Sequence, residues 1–371
     1  MRAIFLISAL ACIAWLSWKE VLRFGEADIF NPRWEIVTTF PERHEVLALW
    51  GEGDEILAMG GYLSADKQFE PDFYKREKAR RAFILRSQGN SEEWRKVYSG
   101  RGELLSVSSP VKKTIYALGV SSDGEAHQKS FIVRSADGGH TWVKLLDPPT
   151  GTIGLAFHGA QAGYSWSRDQ IFHTADGGQS WQSTFSALEL GDGLPPPVAD
   201  KNGRLWAVGA TALHAFEGRL RIRVLPLKPG FRPELLSLDA CGTPWLFGRS
   251  LAEDGERGPL ELLALTDRAA ALQQVGAIAR PRLLPVHSHV SSGEIFLIAS
   301  HPEETPPTTY LYTSRDRGKN WRRESPALTR GVRAPIFLKD GTLLTMTSIR
   351  RLQRRRPQAR GTEPVQAETC L

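Results

Sequence analysis

Cysteine is scarce in this chain: 371 residues hold three, Cys12, Cys241 and Cys370. Three thiols cannot make a disulfide scaffold or a four-thiolate metal site, and Cys12 lies inside an apolar run, so any bridge would join Cys241 to Cys370. Short catalytic signatures are missing too. There is no P-loop, no dinucleotide-binding glycine fingerprint, no zinc spacing, no G-x-S-x-G elbow and no EF-hand loop. No catalytic residue, resident metal or cofactor is therefore assigned. An excess of one charge is nearly absent: 47 Lys and Arg against 41 Asp and Glu leave +6. Six arginines crowd into Arg350 to Arg360, and with Glu363 and Glu368 they account for most of that excess. The rest of the chain is close to neutral, which argues against a nucleic-acid partner, since that needs a broad basic face.

Long apolar runs are limited to the amino end, where Ala3 to Trp18 carry no charge and lie between Arg2 and Lys19. As a helix this stretch spans about 24 Å, short of a ~30 Å hydrocarbon core unless Trp15 and Trp18 sit at the interface. Ala9-Leu10-Ala11 has the form of a cleavage site, but cutting there would leave a short apolar region and strand Ile13 to Trp18 on the mature end. An uncleaved anchor is favoured over a cleaved signal. A lipoprotein site at Cys12 is disfavoured by Ala9 three residues before it. The expectation is an exported chain, anchored to the cytoplasmic membrane and facing the periplasm or exterior, or secreted if the segment is cut.

Internal repeats are what the sequence has in quantity. Ser135 to Trp142 reads SADGGHTW, Thr174 to Trp181 reads TADGGQSW and Ser314 to Trp321 reads SRDRGKNW. Each follows a run with period two, FIVR, QIFH and YLYT, which reads as a strand. A decayed copy, SQGNSEEW, occupies Ser87 to Trp94 after FILR. In such a loop the Asp137, Asp176 or Asp316 carboxylate can accept from orphan backbone amides, and Gly139, Gly178 and Gly318 supply positive φ. Trp142, Trp181 and Trp321 then open the next strand and cover the joint with a neighbouring unit. Ser135, Thr174 and Ser314 begin the frame. The pattern S/T-x-D-x-G-x-x-W after a strand resembles the Asp-box, or BNR, repeat of sialidase-like and related β-propellers. That resemblance implies that the boxes are structural and lie away from any active face.

The box frame divides the chain into four-stranded units. Three carry a full or decayed box in the first half, two without a box follow at Pro197 to Leu225 and Glu234 to Ile278, and a sixth runs from Leu283 to Arg323. A seventh begins with APIFLKDG and TLLTMTS and meets the basic tail before its strands are complete, while WEIVTTF at Trp34 to Phe40 is a strand without a partner. The two remnants fit each other. The expected fold is all-β: a propeller of seven blades, with six as the alternative count, closed by the amino-terminal strand as one monomeric domain. The expected domains are residues 1–27 as anchor and linker, 28–349 as propeller and 350–371 as a disordered basic tail.

In a four-stranded blade the second-to-third strand loops share a face opposite the boxes. There Leu63 to Arg81, Ser121 to Ser130, Arg249 to Pro259 and Ser300 to Thr308 are long, and those of blades three and four are minimal. Uneven insertions on one face suit a partner site. Phe69, Phe73, Tyr74, Arg76 and Arg80, from the longest insertion, are the candidate binding residues, aromatic and arginine together suiting a protein contact. His287 and His289 alternate on an inner strand as ordinary strand residues, with metal ligation the lesser reading. Arg350 to Arg356 suits either anionic lipid or solvent.

The resemblance also brings in sialidases, whose pattern requires an arginine triad including F/Y-R-I-P before the first box, a Tyr/Glu pair and an Asp. No such segment precedes Ser87, and Phe231-Arg232-Pro233 comes too late. With WAVG at Trp206 to Gly209 and YALG at Tyr116 to Gly119, the chain looks more like exported non-catalytic propellers of the photosystem II assembly-factor type. The expectation is a binding or assembly module for a protein or glycan, with a divergent glycoside hydrolase as the alternative.

Overall fold

The computed structural model describes residues 34–356, apart from 42–43, 64–74, 76–77, 89–92, 123–127, 187–193, 251–257, 266–270, 281, 292–293, 306, 325–331, 339–340 and 348–350. It is an all-β propeller of seven four-stranded antiparallel blades. Blade one is β2 (His44–Glu52), β3 (Glu55–Tyr62), β4 (Arg81–Gln88) and β5 (Arg95–Arg101). Blade two is β6 (Glu103–Val111), β7 (Thr114–Ser122), β8 (Gln128–Ser135) and β9 (Val143–Lys144); blade three is β10 (Gly154–Phe157), β11 (Gly163–Trp166), β12 (Gln170–Thr174) and β13 (Gln182–Ser186). Blade four follows as β14 (Val198–Ala199), β15 (Arg204–Val208), β16 (Ala212–Glu217) and β17 (Leu220–Pro226), and blade five as β18 (Phe231–Leu238), β19 (Pro244–Ser250), β20 (Leu260–Leu265) and β21 (Leu272–Ile278). Blade six is β22 (Leu284–Ser291), β23 (Glu294–His301), β24 (Thr308–Ser314) and β25 (Arg322–Arg323). Blade seven combines β26 (Arg333–Phe337), β27 (Leu343–Met346) and β28 (Arg351–Arg355) with β1 (Trp34–Thr39) on its outside.

The core is divided by seams. Among the described residues, seven clusters of buried apolar side chains each join two neighbouring blades, and none is confined to a single blade. Ala48, Leu57 and Met59 of blade one meet Leu104, Ile115 and Val133 of blade two. Phe296 and Ile298 of blade six meet Leu343 of blade seven, and Leu344, Met346 and Leu352 of blade seven meet Val46 and Phe83 of blade one. The second strand of each blade is buried on both faces, which is why TIYALG, RLWAV and EIFLIA read as continuous apolar runs.

Ring closure corrects the expected end of the domain. Arg351–Arg355 is not a free tail but the third strand of blade seven, pairing with β27 on one side and β1 on the other. Its arginines are engaged. Arg354 lies directly opposite Glu35 and donates to both carboxylate oxygens, at 2.9 and 3.2 Å. Arg355 is buried, with its Nε 2.9 Å from Glu324 Oε2, and its guanidinium packs on Phe296. A run that looks like a solvated tail thus becomes a strand because acids from β1 and from the end of blade six neutralise it. Residues 357–371 and the expected anchor, 1–27, lie outside the described residues. Among the described residues no helix is long and apolar enough to cross a membrane. Cys241, in the β18–β19 turn, is disulfide-bonded, and both other cysteines lie outside the described residues.

Candidate functional site

The three S/T-x-D-x-G-x-x-W loops have one geometry. Asp137 Oδ1 accepts from Ser135 Oγ at 2.7 Å and from the amides of His140 and Thr141 at 3.0 Å, while Oδ2 accepts from Thr141 Oγ1 at 2.6 Å. Ser135 Oγ in turn accepts from the Gly139 amide at 2.8 Å. Asp176 with Thr174, Gln179 and Ser180, and Asp316 with Ser314 and Asn320, repeat the arrangement. Burial raises the Asp137 carboxyl, but the hydrogen bonds from Thr141, Ser135 and His140 outweigh it and hold the group well below the usual carboxylate range. The bonds from Ser180 hold Asp176 at about 2. Gly139 sits at φ +89°, and a Cβ there would press on Leu57 of blade one, so the frame needs glycine for space as well as for φ. Trp142 and Trp321 donate their indole N–H to Gly139 O and Gly318 O, and Trp321 packs edge-on against Phe247 of blade five. These side chains fasten turns and seams; each tryptophan is half-buried rather than fully buried. The boxless blades four and five use a different device at the first turn: Asp200 accepts from the amides of Asn202 and Arg204, and Asp239 from those of Cys241 and Thr243. The signal D-x-x-G-x-x-W, at Asp200 to Trp206 and Asp239 to Trp245, was there to be read.

The opposite face carries the second-to-third strand connections. These span 63–80 in blade one, 251–259 in blade five and 302–307 in blade six, but only 167–169 and 209–211 in blades three and four. Of the five candidate binding residues, Phe69, Phe73, Tyr74 and Arg76 lie outside the described residues. Arg80 is described. Its Nη1 lies 2.7 Å from Glu103 Oε2 and 3.5 Å from Glu45 Oε2, and its carbonyl accepts from the Gly102 amide at 2.9 Å. Gly102 is the single residue joining blades one and two, at φ +93°, and a Cβ there would strike the Val120 carbonyl. Arg80 therefore ties the end of the long insertion to the seam between blades one and two.

Two further polar clusters order this face at the junction of blades five and six. Arg249, 1% exposed, donates Nε to Glu234 Oε1 at 3.0 Å and uses its remaining N–H groups on the carbonyls of Gly258, Arg280 and Leu283. Next to it the fully buried His301 sits between Tyr312 Oη, 2.5 Å from Nε2, and Glu303 Oε1, 3.2 Å from Nδ1. Tyr310 donates to Glu304 Oε2 at 3.0 Å, with the Arg323 guanidinium 4.5 Å from its ring centroid. Sequence reasoning missed both clusters, since neither a buried arginine nor a buried histidine has a local signature.

His287 and His289 do share one side of β22, but that side faces blade seven. The His289 ring stacks on Phe337 at 4.5 Å, and Phe296 closes the group at 5.0 Å from Phe337. Burial, reinforced by His289, pushes His287 down to about 4. No cluster of three or more His, Cys, Asp or Glu able to hold a metal ion occurs among the described residues.

No protein-family model and no curated protein matches the sequence. Solved structures do match in fold. A structure titled YCF48 bound to D1 peptide is 13% identical with TM-score 0.61, covering 90% of this chain and 99% of that one. The GH74 xyloglucanase from Xanthomonas campestris is 15% identical with TM-score 0.63, covering 89% of this chain and 54% of that one. A streptogramin B lyase is 11% identical with TM-score 0.55, covering 86% and 96%. At such identities the likeness establishes the architecture alone: this chain folds as a seven-bladed β-propeller.

Proposed function

We propose that the protein is a non-catalytic binding module, exported and held at the membrane by its first 27 residues, that takes a protein partner on the face opposite the S/T-x-D-x-G-x-x-W loops. Those loops are read as Asp boxes, repeated turn fasteners. The observation that carries the reading is the asymmetry of the other face: one connection spans 63–80 while its counterparts in blades three and four span three residues each, 167–169 and 209–211. A closed ring needs no such insertion for its fold, and long loops on a rigid scaffold are where recognition concentrates. The similarity to a propeller that holds a peptide supports a peptide segment over a glycan as the partner.

Replacing residues 64–79 by a short Gly-Ser turn tests this. Closure entropy changes by only about 0.6 kcal/mol per halving of loop length, so the ring should keep its melting temperature. The variant should lose a partner that the intact chain captures from the envelope fraction and that mass spectrometry identifies. Capture of the same partner at unchanged affinity would remove the insertion from the site. A glycosidase is the second reading, favoured by the Tyr310–Glu304 pair; turnover in a panel of aryl glycosides that is lost in Tyr310→Phe would establish it.

A further inference from the structure

Blade one lines up four side chains in a single transverse row at the rim of the loop-bearing face. His44 is opposite Tyr62, Tyr62 is opposite Arg81, and Arg81 is opposite Arg101. Directly opposed residues of antiparallel strands project to the same side of the sheet with Cβ atoms about 4.5–5.5 Å apart, where like charges repel. Arg81 and Arg101 are both exposed. No carboxylate pairs with either one among the described residues. Glu45 and Glu103 lie on the other side of the sheet, where they hold Arg80. A third cation, the exposed Lys96, comes from the same outer strand and places Nζ 5.7 Å from the Tyr62 ring centroid. His44 stacks on Tyr62 at 5.0 Å, and burial followed by the charge of Lys96 pushes its pKa down, as expected where cations gather. Beneath the row the seam is filled by Phe83, Met346 and Leu352, so the cations have an apolar floor and solvent above.

An arginine pair with no carboxylate partner among the described residues costs folding energy, and an anion from outside would relieve it. Two arginines whose Cβ atoms stand about 5 Å apart can both turn their guanidinium groups to the two oxygens of one carboxylate, each of which can take paired N–H donors. Two arginines at the rim and Lys96, opposite Leu85 four positions down β4, in a body otherwise near neutral, are too few for a nucleic-acid backbone. Resting on the reading of this face as a peptide site, we propose that Arg81 and Arg101, with Tyr62 and the Lys96 that reaches its ring, anchor an acidic segment of the partner. One Asp or Glu sits between Arg81 and Arg101, and a neighbouring residue lies over Tyr62 and Lys96.

The test is fluorescence anisotropy of the full chain with a labelled decapeptide of alternating Glu and Ala, against its Gln and Ala counterpart. Wild type should bind the acidic peptide and not the neutral one, with affinity falling steeply between about 0.05 and 0.5 M salt. Arg81→Glu/Arg101→Glu should weaken binding at least about tenfold. Arg81→Lys/Arg101→Lys, which keeps charge but loses the fork, should fall between. The single Arg101→Glu change should raise the melting temperature slightly, because it turns a like-charged pair into an opposite one; this shows that loss of binding is not loss of fold. Equal binding of both peptides, or an unaltered affinity in the double Glu variant, overturns the proposal. So does stronger binding to anionic phosphatidylglycerol vesicles that the same variant abolishes, which assigns the row to lipid. If the envelope partner is lost on replacing 64–79 but kept by the double Glu variant, the binding face stands and this anchor falls.

Discussion

Removing one carboxylate, by Asp137→Ala, measures what a repeated turn fastener contributes. The side chain accepts four hydrogen bonds, two from hydroxyls and two from backbone amides. Their sum is not the loss, because His140 and Thr141 are exposed and water replaces the carboxylate at both amides. Ser135 Oγ keeps its bond from Gly139. A net cost of about 1 to 3 kcal/mol follows, in the range for charge-assisted bonds to a partly exposed site. Spread over a domain from Trp34 to Arg355, unfolding entropy near 2.1 cal/mol/K per residue totals roughly 0.7 kcal/mol/K, so the melting temperature should fall by about 2 to 4 °C. Calorimetry or a thermal shift reads this directly. Asp176→Ala should cost a similar amount, and the two losses should add, since the loops share no partner. The folded carboxyl titrates below its unfolded value, so its contribution is complete above about pH 5 and disappears as pH falls towards the folded pKa. The gap between wild type and mutant should therefore narrow at pH 2 to 3. A mutant that melts with wild type at neutral pH yet loses partner binding would refute the fastener role, and so would a gap that does not shrink in acid.

Other outcomes follow from the seams. Arg355→Leu leaves the Glu324 carboxylate poorly compensated and should cost about 3 to 5 kcal/mol, while Arg355→Leu/Glu324→Leu should recover most of it, as read by urea denaturation. His287 has a folded pKa of about 4 against about 6.5 unfolded, so stability is complete above pH 7 and falls by at most about 3 kcal/mol between pH 6.5 and 4. His287→Leu should flatten that pH dependence, and an unchanged slope would place the titration elsewhere. A chain starting at Glu45 lacks β1, removing Trp34, Val37 and Phe40 from two seam clusters and exposing the edge of β28. It should aggregate where one starting at Asp28 stays monomeric by light scattering.

Blade count and blade boundaries were legible because the turn frames repeat: SADGGHTW, TADGGQSW and SRDRGKNW each sit at the same joint between third and fourth strands. The partner of WEIVTTF was legible in kind, as a strand lacking company beside an unfinished blade. What hid the partner itself was composition, since RLQRR has one apolar residue, Leu352, and its burial depends on Glu35 and Glu324, far away in sequence. The arginine pair was hidden for a different reason. Arg81 and Arg101 come into opposition only through the β4–β5 register, which carries a bulge between Ile84 and Leu85 that no spacing rule reveals. Arg80 illustrates the converse: residue type marked it for recognition, whereas its neighbours Glu103 and Glu45 make it a fastener.

The closing strand also sets which way the ring points. In β1 and β28, Trp34 stands opposite Arg355, so the segments before and after the propeller leave from the same corner of blade seven. Because β28 runs away from the second-to-third strand connection, that corner belongs to the side bearing the Asp137, Asp176 and Asp316 turns. On the anchoring proposed for the first 27 residues, the tether would attach on this side, and the rim bearing Arg81 and Arg101 lies on the opposite side of the ring. A fusion joined directly before Trp34 or after Arg356 would attach at this base, on the side opposite the rim that bears Arg81 and Arg101.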